Sequence, residues 1–273
     1  MPVEDLIRYF NAADRAGDSL LYPKGERVEA WHRGLRLGSL FQPVVDLRSE
    51  RVVGHRASLH VEREDGASLA AETAYALCET EQSVIHLDRL CRTLHALNFL
   101  AQRRTTGGWL QMAVHPRHLL AVPNQHGLVY EAILKRCGLA PADIVLELDA
   151  GAIDAHGRFA HALENYRQRG YRLALHLTAA TDLPAALQLR PDLLRLNANV
   201  RELAEHSSNQ GISRQLADID DGKTLRAANL DGIELATGHL FGGPATECRP
   251  THKTAAKPYN PASSLGVHHE NRQ

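Results

Sequence analysis

Carboxylates and imidazoles recur at one kind of place in the 273-residue sequence, the closing residues of short apolar runs rich in Val, Leu and Ile. His60 lies near the end of VVGHRASLHV, His115 follows WLQMAV, and Glu147 and Asp149 fall in IVLELD. His176 lies in YRLALHL and Asn197 in LLRLN; Asp218, Asp220 and Asp221 follow ISRQLA, and Thr237 and His239 close IELATGHL. Oxygen and nitrogen donors converging from many strands can hold a divalent cation and activate water. No two of them form a short-range pair such as HxH or HExxH, so spacing alone is a weak sign of a metal hydrolase. One residue runs against the pattern: Arg56 places a guanidinium in the middle of an apolar strand, a costly arrangement unless the charge is paired.

The elements that must position these residues alternate along the chain. EDLIRYFNAADRA predicts an amphipathic helix over residues 4–16, followed by a loop through Gly17, Pro23 and Gly25. VEAWHRGLRLG reads as a second helix ending at Gly38, and LFQPVVDL and VVGHRASLHV as strands joined by RSER. Helices are expected at ASLAAETAYALCETE, SVIHLDRLCRTLHALNFLAQR, HGLVYEAILKRCG, GRFAHALENYRQRG, DLPAALQLR and KTLRAANL. Strands are expected at WLQMAV, ADIVLELDA, YRLALHL, LLRLNANV, ISRQLAD and IELATGHL. Eight strands alternating with helices argue for an α/β fold closed as a TIM-like (β/α)8 barrel, in which chemistry gathers at the C-terminal ends of the strands. The division expected is a helical extension over residues 1–25, a barrel domain over 26–244 and a disordered tail over 245–273, where Pro, Ser, Lys and Asn replace apolar periodicity.

Composition narrows the partners. With 31 basic against 32 acidic residues and a net charge of −1, nothing global attracts nucleic acid or an anionic membrane. Neither a targeting segment nor a membrane span is legible, and Cys78, Cys91, Cys137 and Cys248 show no CxxC pairing, as expected of free thiols in a cytoplasmic protein. No glycine-rich phosphate loop and no Ser/His/Asp or cysteine nucleophile motif stands out.

From Val28 to Pro244 the order of motifs resembles the EAL domains, the family that hydrolyses cyclic di-GMP. FQPVVDL is similar to the family's YQPIVDL, VVGHRASLHV occupies the place of IVGxEALLRW, and LDRLCRTLHAL and PRHLL match further segments. GLAPADIVLELD resembles GLPPxxLxLEIT, YRLALHL resembles VRLALDDFGTG, PDLLRLN resembles VDxLKID, and ATGHLFGGP resembles YAQGYLFGRP. The resemblance implies an EAL-type barrel and a Mg²⁺ or Mn²⁺ site, and it maps the family's ligands residue by residue. The naming Glu falls at Arg56, the Asn after the third strand at Ala113, and the second Glu of the ExTE type at Ala150. The two Asp residues of DDFGTG fall at His176 and Leu177, the Lys at Arg195, the Asp of KID at Asn197, and the Glu residues of AEGVE at Asp218 and Asp221. Glu147 alone is unchanged; Gln42 keeps a guanine-contact position, and His60 replaces a phosphate-contacting Arg.

The expected function is therefore a catalytically inactive EAL-like regulator of motility or biofilm type, without a cofactor, acting through protein partners such as transcription or signalling regulators. A homodimer through surfaces near the fifth and sixth strands fits the family. A non-hydrolysing cyclic di-GMP receptor is the alternative. An active phosphodiesterase, or a zinc hydrolase using Glu147, His176 and Asp218 or Asp149, ranks behind both. Arg56 is expected to pair with Glu147 in place of the metal. Between Asn197 and Asp218 the chain is about three helical turns shorter than the family pattern, so residues 199–215 are expected to leave an opened flank. That flank and the first helix, with Leu6, Ile7, Tyr9 and Phe10, are the candidate contact surfaces.

Overall fold

The computed structural model describes residues 3–13, 19–122, 128–153, 157–207 and 211–250. After α1 (Val3–Ala13), the strands β1 (Ser19–Lys24), β2 (Arg27–His32), β3 (Leu35–Asp46), β4 (Arg51–Arg63) and β5 (Ser68–Leu69) follow one another. Then come α2 (Ala71–Ala76), α3 (Glu81–Thr106), β6 (Trp109–Ala113), α4 (Pro116–Ala121) and α5 (Leu128–Cys137). β7 (Ile144–Asp149), α6 (Arg158–Gln168), β8 (Arg172–Leu177), α7 (Leu183–Gln188), β9 (Leu193–Leu196), β10 (Ser213–Leu216), α8 (Gly222–Leu230) and β11 (Leu235–Ala236) complete the order.

β3, β4, β6, β7, β8, β9, β10 and β11 pair in that ring and close an eight-stranded barrel, parallel except where β3 runs against both neighbours. Strand alternation sorts the side chains between two faces. Leu146, Leu148, Leu173, Leu175, Leu194 and Leu196 point outward into the main core beneath the helices. Val145, Ala174 and Leu193 point inward and form a separate small cluster with Trp109 and Leu235. The next inward positions up these strands are Gln111, Glu147, His176, Arg195 and Gln215. Thus the residues that interrupt the apolar pattern are the barrel's lining.

Residues 28–38 are not a helix. They form β2 and the start of β3, joined by Arg33 and Gly34, both with positive φ (47° and 82°), the geometry of a tight two-residue hairpin. The period is two: Val28, Ala30, His32, Leu35 and Leu37 are buried and their neighbours are not. The loop expected at 17–25 instead contains β1, which adds to β2. Residues 68–76 hold only the two-residue β5 and the short α2 rather than one long helix.

α1 is fastened to this extension. Leu6 and Ile7 are buried, and Asn11 exchanges two hydrogen bonds with Leu21 (2.8 and 2.9 Å). Residues 14–16 of the expected helix lie outside the described residues. Between β9 and β10 the chain makes a 3-10 run (Ala198–Ser207) broken at Val200, and no α-helix is present among the described residues there.

The segment expected to be disordered from 245 is seated on the barrel as far as Pro250. Ala245 and Phe41 exchange backbone hydrogen bonds, Cys248 N–H donates to Gln102 Oε1 (2.7 Å), and Arg249 N–H donates to His55 Nε2 (3.0 Å). Residues 251–273 of that expected tail lie outside the described residues. No described helix is long and apolar enough to cross a membrane.

Candidate functional site

Four inward side chains meet inside the barrel. Arg56 on β4 donates through Nε to Glu147 Oε2 and through Nη2 to Glu147 Oε1, both at 2.8 Å. This two-pronged geometry is the strong form of a guanidinium–carboxylate contact. Gln111 Nε2 adds a third donor to Glu147 Oε2 at 2.7 Å, and Arg195 Nε stands 3.9 Å from the same oxygen. The register explains the convergence: Arg56 lies beside Gln111 across β4 and β6, and β7 follows β6 in the ring.

Glu147 is 4% exposed, so its ionisation is set by its neighbours. Burial on its own would raise the carboxyl, but Arg56, with help from Arg195, outweighs it and holds Glu147 well below the usual carboxylate range. The attraction of Glu147 raises Arg56 in return, against desolvation. Arg195 is lowered, chiefly by desolvation. It is buried, donates no hydrogen bond to any described residue, and its Nε is closed off from solvent.

The rim above this pair is differently made. His176 Nε2 and Asn197 Oδ1 lie 3.0 Å apart, and burial, reinforced by the Arg195 charge, lowers the imidazole and favours its neutral form. Ala113, opposite Glu147, is exposed and carries no donor atom. Asp149 turns one oxygen to Gly151 N–H, and Ala150 beside it is buried. Asp218 is exposed on a left-handed backbone (φ 59°) and acts on Arg56 and Arg195 through its charge alone.

Several expected site residues are occupied elsewhere. Asp221 caps α8 by accepting from Thr224 N–H (2.7 Å), and Asp220 takes the backbone and ring N–H of His239. His60 joins Glu62, itself paired with Arg36, at 3.2 Å. Gln42 sits opposite Arg56 on β3. His115 caps α4 and stacks on Tyr75 with ring centroids 4.0 Å apart. Gln111 was missed by sequence reasoning. Its only signal was its place between the outward Leu110 and Met112 on a barrel strand.

No cluster of three or more His, Cys, Asp or Glu groups able to hold a metal ion exists among the described residues. What the arrangement can do is hold fixed positive charge at a barrel mouth.

The barrel superposes on a Bacillus subtilis YkuI structure, described as having an EAL domain in complex with cyclic di-GMP and calcium, with a TM-score of 0.66 at 17% identity. It also superposes on the Klebsiella pneumoniae BlrP1 complex with calcium and cyclic di-GMP, with a TM-score of 0.68 at 18% identity. Each match covers 79% of this chain but only 57% of the other. A standalone EAL protein from Vibrio cholerae O395, in cyclic di-GMP-bound form, matches with a TM-score of 0.61 at 15% identity, covering 79% of this chain and 95% of that one. At such identities the likeness establishes the fold. No curated protein matches in sequence. The EAL-domain family model matches residues 28–231, three quarters of the sequence and nearly all of the barrel, and the chain belongs to the EAL-domain family.

Proposed function

We propose that this EAL domain is a non-hydrolysing regulatory module of cyclic di-GMP signalling that acts through protein contacts in the cytoplasm. The observation that carries the reading is the Arg56–Glu147 pair. Both oxygens of Glu147, the only acid retained among the ligand positions the resemblance assigns, are taken by donors from Arg56 and Gln111. The donor set does not fit a Mg²⁺ or Mn²⁺ pair, which needs several oxygen ligands free to face the ions. Ala113 and Leu177 offer no donor atom, His176 is engaged by Asn197, and Asp221 is spent on a helix cap. A zinc site on Glu147 and His176 fits no better, because both Glu147 oxygens are held by Arg56 and Gln111 and His176 Nε2 is engaged by Asn197.

The partner in this reading is a transcription or signalling regulator, or a second copy of the chain. The contact surface lies along the flank where the connection from β9 to β10 is short. α1 is the poorer candidate, since Leu6 and Ile7 are spent on packing. One observation favours a second reading, a cyclic di-GMP receptor without turnover. Arg195 is a guanidinium without a hydrogen-bonded acceptor, beside Arg56, at the end of the barrel where a phosphodiester would enter.

Purified protein incubated with cyclic di-GMP and Mg²⁺ or Mn²⁺ is expected to show no turnover above a metal-free control, and turnover would overturn the proposal. Calorimetry with cyclic di-GMP separates the two readings: heat that saturates at micromolar nucleotide and is lost in Arg195→Met identifies the receptor.

A further inference from the structure

The opposite end of the barrel, where the parallel strands begin, holds a cavity of about 460 Å³. Ligand pockets run from about 300 to 1,000 Å³, so this one accepts a small molecule. Its floor is the inward apolar cluster of Val145, Leu193 and Leu235, and Trp109 and Arg172 form one wall. The Arg172 guanidinium lies 5.1 Å from the Trp109 ring centroid, which holds it in place from one side. It donates no hydrogen bond to any described residue, and its Nε is shut off from solvent.

Two carboxylates line the same cavity, each with an oxygen to spare. Asp192 accepts Leu173 N–H on Oδ2 at 2.8 Å, and Asp46 accepts the N–H and hydroxyl of Ser49 on Oδ1. Asp192 is near enough to act on Arg172 through its charge, yet no ion pair within 4.0 Å joins Arg172 to either acid among the described residues. One unpaired cation, two half-free carboxylates and an apolar floor thus share a space without satisfying one another. A simple anion would be repelled by the two aspartates and a simple amine by Arg172. A molecule carrying both charges on an apolar body satisfies all three.

We propose that this cavity binds a free α-amino acid with an aromatic or branched apolar side chain. Its carboxylate lies on Arg172, its ammonium on the spare oxygens of Asp192 and Asp46, and its side chain on Val145, Leu193 and Leu235 beside Trp109. The N-terminal face of such a barrel is the end remote from catalysis, so the ligand acts as an effector that stabilises the fold by mass action. The site is independent of the state of Glu147 at the other end.

The probe is L-phenylalanine, and Trp31→Phe leaves Trp109 as the sole tryptophan reporter. Saturable change of its fluorescence and a rise in melting temperature are expected with L-phenylalanine or L-leucine. Phenylacetate, which lacks the ammonium, and phenethylamine, which lacks the carboxylate, should each bind at least about tenfold more weakly. Arg172→Met should weaken L-phenylalanine by a similar factor with an unchanged circular dichroism spectrum. Equal binding of all three compounds, or no saturable change at millimolar amino acid, overturns the assignment. The ligand series needs no variant of the cavity itself, so the test stands even if Arg172→Met folds poorly.

Discussion

At the scale of single residues, the barrel interior turns on the exchange of hydrogen bonds between Arg56, Gln111 and Glu147. Two of these three were legible in the sequence, because a charge within an alternating apolar strand advertises an inward polar position. Gln111 was not, since a neutral amide in a five-residue strand looks the same whether it meets a carboxylate or water. A buried pair of this kind contributes little beyond a well-packed apolar substitute, but breaking it strands a charge. Arg56→Met is therefore expected to lower unfolding free energy by about 3–5 kcal/mol, whereas Arg56→Met combined with Glu147→Leu should recover most of the loss. Urea denaturation of the three proteins measures this coupling. A single substitution costing less than about 1 kcal/mol would mean that Arg195, 3.9 Å away, already serves Glu147.

At the scale of elements, what the sequence concealed was β-structure added to the barrel. Residues 28–38 carry a clean period of two, but Gly34 at the hairpin tip resembles a residue within a continuous pattern, and Gly38 resembles a helix stop. The C-terminal segment was concealed for another reason. Residues 245–250 attach mainly through their backbone, to Phe41, to Gln102 and to His55, with the Glu247–Arg27 ion pair and the packed Cys248 beside them, and a segment held so leaves no apolar period to read. Its contribution can be isolated by ending the chain after Pro244 rather than after Pro250. Five backbone hydrogen bonds are lost, two of them shared with Phe41, together with the exposed Arg27–Glu247 ion pair, and His55 Nε2 is left without its donor. At about 0.5–1.5 kcal/mol for each backbone bond, with little from the exposed ion pair, the shorter chain should lose on the order of 2.5–7.5 kcal/mol. Equal denaturation midpoints for the two chains would show that the segment rests on the barrel without stabilising it.

At the scale of the whole molecule, the barrel was legible because eight short apolar strands alternate with helices in one order. The cavity at its far end was not, because it is assembled from the first residues of several strands that nothing in the sequence links. The same closed interior also makes the molecule acid-sensitive in a way that can be worked out. His55 and His95 are buried, and desolvation lowers both to about 4. An unfolded histidine titrates near 6.5, so between about 6.5 and 4 the unfolded chain binds more protons than the folded one. Stability must then fall as pH drops through that window, by up to about 3 kcal/mol for each histidine, and the histidine contribution levels off below it. Glu147 acts in the next window. Its folded pKa is depressed, so its stabilisation is complete above the unfolded carboxylate value of about 4.3 and drains away as the pH falls below it. Urea midpoints should be nearly constant from pH 8 to 7, decline from about 6.5 to 4, and decline further in stronger acid. Replacing both histidines with Gln should remove most of the first decline, the remainder belonging to His115 and His176, which burial also lowers, and leave the second in place. A midpoint that holds steady down to pH 4 in the parent protein would mean that both imidazoles charge freely in the folded state, and that the barrel wall around them opens far more readily than its packing implies.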